Sequence, residues 1–233
     1  MKRTAAQDIA LFSILVALSL VLGLLDRALP LSALLSGGVP GLKLGLANTV
    51  LLYAVYLWNW KASVLLMLAK VALSGFLFGS LSAILYSLSG GVLSLAVMLL
   101  ARKKPRLSAL ISAFFALGSD LFLLWKHPSP RGQMLICMML IALAGAASLV
   151  LFFVLRRHPQ WEMMGVSLAG AVAHNFGQIL VASQMLRTPA LLYTYLPVLA
   201  GLGAAVGCLT GLIAQRVLHA LKYAGVKHSP AGK

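Results

Sequence analysis

Acidic residues are nearly absent: 4 Asp and Glu stand against 19 Lys and Arg in a chain of 233 residues. None of the four acids is paired with another, so an Asp-rich Mg²⁺–diphosphate site of the DDxxD kind is excluded. No GxxxxGK[ST] phosphate loop occurs, which excludes ATP hydrolysis of that type. Neither a GxSxG elbow nor an HExxH motif is present. Catalysis by this chain alone is therefore not expected, and no cofactor or metal is implied. Cysteine is equally scarce. Cys137 and Cys208 both fall in apolar runs, outside any CxxC or Cys/His metal spacing, and read as packing residues.

Apolar residues fill the space that charge leaves. They make up 61% of the chain, with a mean hydropathy of +0.97, whereas a soluble domain is nearer 45–50% apolar. Uncharged runs repeatedly reach the length of about 17–25 residues that a bilayer-crossing helix needs. The fold class is all-α, a polytopic transmembrane helix bundle; a β-barrel would show short alternating segments instead. The isoelectric point near 10.5 does not point to nucleic acid. The cations lie between apolar runs rather than on an aromatic-bearing face, as membrane topology requires.

Charge, Pro and Gly punctuation predicts eight spans, roughly 9–29, 43–59, 61–79, 82–101, 107–125, 133–155, 163–186 and 191–218. Met-Lys-Arg at the start resembles a signal peptide, but Asp26-Arg27-Ala28-Leu29-Pro30 offers no convincing cleavage site, so the first run is read as a helix. The turn between the third and fourth spans is placed at Gly79-Ser80, with a break at Gly90-Gly91 as the alternative. With a cytoplasmic N-terminus and eight spans, thirteen of the 19 cations fall inside and five outside, and Lys70 lies within a span. This asymmetry places both termini in the cytoplasm. Residues 1–233 form a single membrane domain. Within it, 1–104 and 161–220 read as a six-helix core and 105–160 as an inserted helical pair, bracketed by RKKPR and RRHP.

Small residues are spaced for close helix contact: Gly203, Gly207 and Gly211 in the last span, Gly75 and Gly79 in the third, and Gly41 and Gly45 at the second. Most read as packing within the chain. The stripe Ala6, Ala10, Ser13 and Ala17 on the first helix reads instead as a surface for docking a partner membrane protein.

Polar groups at bilayer depth are costly unless they meet a partner, water or a ligand. Lys70 lies about nine residues, roughly 13 Å, from the cytoplasmic end of its span, too deep to reach the headgroups easily. No carboxylate is evidently available to it, because Asp8, Asp26 and Glu162 fall at span ends and Asp120 in the inserted pair. In the stretch GAVAHNFGQ, Asn175 and Gln178 are three apart and His174 and Gln178 four apart, so all three can share a helical face. The alternative is an interhelical hydrogen-bond network. In PGLKLGLAN, Lys43 stands where backbone N–H groups of a helix start would suit an anion, with Asn48 one turn deeper. Lys43, Asn48, Lys70, His174, Asn175 and Gln178 are together compatible with one substrate-binding cavity in the outer half of the bundle.

PGLKLGLAN at 40–48, the Lys70–Gly79 stretch ending FLFGS, SLSGGVLSLAVM at 87–98, GVSLAGAVAHNFGQILVA at 165–182 and TPALLYTYLPVL at 188–199 occur in an order with a known counterpart. They resemble the bacterial membrane family named heptaprenyl diphosphate synthase component I, also called Gx transporter. The resemblance covers most of 1–104 and 161–220. It departs at Lys70, where the family usually has arginine, and at 105–160. It implies a multi-pass protein of the bacterial plasma membrane. The family's hydropathy pattern is similar to the six-helix substrate-binding components of energy-coupling-factor transporters, and the first-helix stripe resembles the AxxxA surface by which those dock.

Two functions follow from these readings. In one, the chain is a transport component in the lipid bilayer that binds a small polar or anionic solute and works with separate coupling-factor transmembrane and ATPase subunits. In the other, it is a non-catalytic membrane subunit that serves a soluble prenyl diphosphate synthase subunit. A pure scaffold is the third alternative, and a nucleic-acid partner is not expected.

Overall fold

The computed structural model describes residues 4–28, 45–78, 81–104, 162–188 and 195–223, with scattered residues of 139–153 and residues 191 and 192. Six helices carry the described chain: α1 (Ala5–Ala28), α2 (Asn48–Leu57), α3 (Trp60–Phe78), α4 (Leu81–Lys103), α5 (Glu162–Met185) and α6 (Leu196–Tyr223). All but α2 are long and apolar enough to cross a membrane. The molecule is a helical membrane bundle. Of the eight expected spans, 107–125 lies outside the described residues; in 133–155 those described, from 139 to 153, are helical.

Local chemistry sets the helix ends. α1 opens on a reciprocal capping box, the Thr4 N–H donating to Gln7 Oε1 at 3.0 Å and the Gln7 N–H to Thr4 Oγ1 at 3.4 Å. Asn59 Oδ1 accepts the Ala62 N–H at 2.9 Å and so caps α3. α3 ends at Phe78 and α4 begins at Leu81, on either side of the expected Gly79-Ser80 turn, and α4 runs unbroken through Gly90-Gly91. Those two glycines serve close helix approach rather than a break.

The second helix differs from expectation. It starts at Asn48, not at 43, because Gly45 has φ +89° and residues 46 and 47 form a turn. A right-handed helix cannot pass through a residue in that region. At 10 residues, α2 is about 15 Å long, half the hydrocarbon thickness. It touches every other described helix, and Val50, Leu51, Leu52 and Ala54 are wholly buried. Arg102 at the end of α4 donates to the Val55 carbonyl of its last turn, and its guanidinium lies 5.3 Å from the Tyr56 ring centre.

α5 is the most enclosed of the long helices and α1 the least. α5 packs along α4 on one side and α6 on the other. The α6 glycines make the second contact possible: a Cβ at Gly207 would stand 2.8 Å from Leu168 Cα, and one at Gly211 2.7 Å from Met164 Cα. This tandem motif therefore joins two helices of the same chain. α1 leans on α2 and α3, tied near its start by the Trp58 Nε1–H donating to Asp8 Oδ1 at 3.2 Å. Ala6, Ala10, Ser13 and Ala17 all lie on its exposed face.

Two apolar clusters bracket a polar layer. One gathers Leu15, most of α2, Leu66, Met67, Leu95, Met98, Val166, Ala214 and Leu218. The other gathers Tyr86, Ile179, Ala182, Leu191 and Leu199. Between them, in chain position, lie Gly90 on α4, His174 on α5 and Gly203 on α6.

Candidate functional site

α2 and α3 form a helical hairpin about the Trp58-Asn59 turn. Asn48 precedes Trp58 by about ten residues and Lys70 follows Trp60 by about ten, so both lie roughly 15 Å from the turn. Matching depth brings them into contact: Lys70 Nζ donates to Asn48 Oδ1 at 3.0 Å in a buried bond. A charge-assisted hydrogen bond of this kind is worth about 1.5–3 kcal/mol. It leaves Asn48 Nδ2 with no hydrogen-bond partner among the described residues, although Asn48 is buried.

The turn ahead of α2 holds the next part. A Cβ at Gly45 would lie 3.2 Å from Asn48 Nδ2, 3.1 Å from His174 Cδ2 and 3.8 Å from His174 Nε2. The amide of Asn48 and one edge of the His174 ring thus border the same point. The opposite edge of the ring lies against α4, where a Cβ at Gly90 would fall 2.7 Å from Nδ1 and 2.8 Å from Cε1. One imidazole is wedged between two glycines from different parts of the chain. Beside it, Ser89 Oγ donates to the Gly177 carbonyl at 3.0 Å and fixes the α4–α5 crossing.

The structure brings Asn48, Lys70 and His174 together. Gln178, one turn beyond His174, is enclosed as well. Asn175 turns toward α6, where its Nδ2 donates to the Leu199 carbonyl; its Oδ1 has no hydrogen-bond partner among the described residues. This is the interhelical bond that the sequence left as an alternative, and it arises because adjacent residues on a helix point about 100° apart. Lys43 lies outside the described residues.

Asp26 is the residue that sequence reasoning missed. It reads as the end of a span, yet it is wholly buried. The Gly45 N–H donates to its Oδ2 at 2.8 Å, and the Gly45 carbonyl accepts the Asn48 N–H at 2.8 Å. A carboxylate is thus bound to the turn that leads into α2. Asp26 is joined to Lys70 in series, through the Gly45 peptide and Asn48. The signal was available in the Gly45-x-x-Asn48 spacing, but α1 had to be placed against α2 to reveal it. Ser94, whose buried hydroxyl also lacks a hydrogen-bond partner among the described residues, gave no signal in the sequence.

No curated protein and no solved structure matches the chain. A family model does: that of heptaprenyl diphosphate synthase component I, over residues 15–124 and 129–217. The match takes in α2 to α5 entirely, most of α1 and α6, and nearly all of 105–160. On that extent, the chain belongs to the heptaprenyl diphosphate synthase component I family.

Proposed function

We propose that the protein is an integral membrane transport component that binds a small polar or anionic solute within its helix bundle and is energised by separate coupling and ATPase subunits. The observation that carries this reading is Asn48 Nδ2, without a hydrogen-bond partner among the described residues and held beside a buried lysine and an imidazole in the polar layer between two apolar clusters. A buried donor without a partner costs about 1–3 kcal/mol. A bound solute offering an acceptor removes that cost, and a bundle with no paired acids suits binding better than catalysis. The Ala6, Ala10, Ser13 and Ala17 stripe on α1 is the surface proposed for the coupling subunit, and the bacterial plasma membrane, with both termini cytoplasmic, is the proposed setting.

Mass spectrometry of small molecules released from the gently purified protein tests the reading. Lys70→Ala and His174→Ala are expected to abolish the co-purified solute. Its retention at wild-type levels in both variants would sink the assignment.

A second reading rests on the family's description as a component of heptaprenyl diphosphate synthase. Here the chain is a non-catalytic membrane subunit that supports a soluble prenyl diphosphate synthase. Reconstitution with such a subunit decides it: chain elongation should rise several-fold when this protein is added, and unchanged elongation rejects the idea.

A further inference from the structure

Ser94 on α4 is wholly buried, and its hydroxyl has no hydrogen-bond partner among the described residues. A serine within a helix readily turns its hydroxyl back to a carbonyl of the preceding turn. Ser13, Ser19, Ser63, Ser89 and Ser183 each donate in this way, to a carbonyl three or four residues earlier. Ser94 does not. Two contacts fix where it stands. Gly90, four residues before it, lies against the His174 ring, and Met98, four residues after it, fills the place of a Cβ on Gly170. Gly90, Ser94 and Met98 share one helical face, so Ser94 is on the side of α4 that packs along α5, between these two contacts. α2 runs beside α4 in the same direction. Gly45 faces Gly90 across the His174 ring, and further along Arg102 donates to the Val55 carbonyl. Counting from the first of these pairs, Asn48 is three residues on and Ser94 four, each about one turn deeper.

We infer that the Ser94 hydroxyl is a binding group of the Asn48–Lys70–His174 site, and that the solute presents to Ser94 and Asn48 Nδ2 a group that accepts hydrogen bonds, such as a carbonyl or hydroxyl oxygen. This rests on the solute-binding reading above and adds α4 to it. Asn48 Nδ2 can only donate, whereas a hydroxyl can donate or accept. The two groups lie at the same depth on neighbouring helices. Both are buried, and neither has a hydrogen-bond partner among the described residues. An acceptor held by both removes both costs at once. If Ser94 served packing alone, alanine would serve better, because a buried hydroxyl without a bond is costly. Local rules broken in this way fall characteristically at functional sites.

The probe is 2-hydroxyethyl methanethiosulfonate, a small, neutral, polar thiol reagent, used on the full chain in phosphatidylcholine nanodiscs with Cys137 and Cys208 replaced. Ser94→Cys exchanges one oxygen for sulfur. Leu95→Cys, at the same depth but in the apolar cluster, is the control, and Asn48→Cys marks the site itself. Ser94→Cys is expected to react on the order of tenfold faster than Leu95→Cys, the scale of one lost buried contact. A rate no faster than that of Leu95→Cys overturns the inference; if Asn48→Cys still reacts quickly, only the part given to Ser94 falls. A second measurement needs no reagent. In protein dialysed free of small molecules, Ser94→Ala should melt at the wild-type temperature or up to about 4 °C above it. A fall of several degrees would show that the hydroxyl is bonded within the fold, and would also overturn the inference. Failure of the broader solute-binding reading is seen separately, as co-purified solute retained in Lys70→Ala and His174→Ala.

Discussion

At the scale of single residues, close approach is the controlling fact. Gly90 has His174 against it at distances no Cβ tolerates, so Gly90→Ala must displace the imidazole or part α4 from α5. A loss of about 1–3 kcal/mol is expected from such overpacking. Gly23, with nothing within 4 Å of an added Cβ, is the control: Gly23→Ala should stay within about 0.5 kcal/mol of wild type. Thermal unfolding of the three proteins in one detergent checks both. The Asn48–Lys70 bond yields a second expectation. Asn48→Ala leaves a buried ammonium without this acceptor and should cost about 1.5–3 kcal/mol. Asn48→Asp restores an acceptor oxygen and should recover most of the loss. An alanine variant as stable as wild type would mean that Lys70 is held chiefly by other groups.

At the scale of elements, α2 carries the exceptional feature, a half-length helix surrounded on all sides. Its last turn is met by Arg102 through the Val55 carbonyl and the Tyr56 ring. Arg102→Ala should destabilise by about 1–2 kcal/mol, and Arg102→Lys should recover only part, since an ammonium lacks the planar fork that serves both contacts. Chemical unfolding curves distinguish the two. The helices themselves were legible because hydropathy and charge spacing report directly on long spans; even the limits of α3 and α4, at Phe78 and Leu81, were. The late start of α2 was not, because nothing local distinguishes Gly45 with positive φ from a glycine inside a helix. The site was legible in part for the same reason. Lys70 and the His174 stretch stand out against apolar neighbours, whereas Asp26 acquires meaning only once α1 lies against the turn before α2. That contact joins residues 19 apart in sequence, across a stretch with no helical period to fix it.

At the scale of the whole molecule, topology and surface can be tested together. With both termini cytoplasmic, a cysteine introduced at Lys61 or Lys103 should react with an impermeant thiol reagent only from the cytoplasmic side, and one at Gln184 only from outside. Cys137 and Cys208 must first be replaced. All three chosen positions are exposed, so a missing signal reports sidedness rather than burial. The face of α1 bearing Ala6, Ala10, Ser13 and Ala17 touches no other part of the described structure closely enough to be covered. Ala10→Leu with Ala17→Leu should therefore leave the melting temperature nearly unchanged while weakening co-purification with a coupling subunit. A large drop in melting temperature would instead assign the stripe to internal packing.

The matched depth of Asn48 and Lys70 about the Trp58-Asn59 turn makes the hairpin a measuring device. The contact depends on counting residues outward from the turn along two helices. Substitutions along the way leave the count intact, but insertions and deletions do not. Two residues added between Lys61 and Ala69 would turn Lys70 by about 200° and raise it by about 3 Å. It would then occupy the place of Ala72, on the exposed side of α3, and face hydrocarbon. Across related chains, length should therefore vary freely outside this hairpin and stay constant within it.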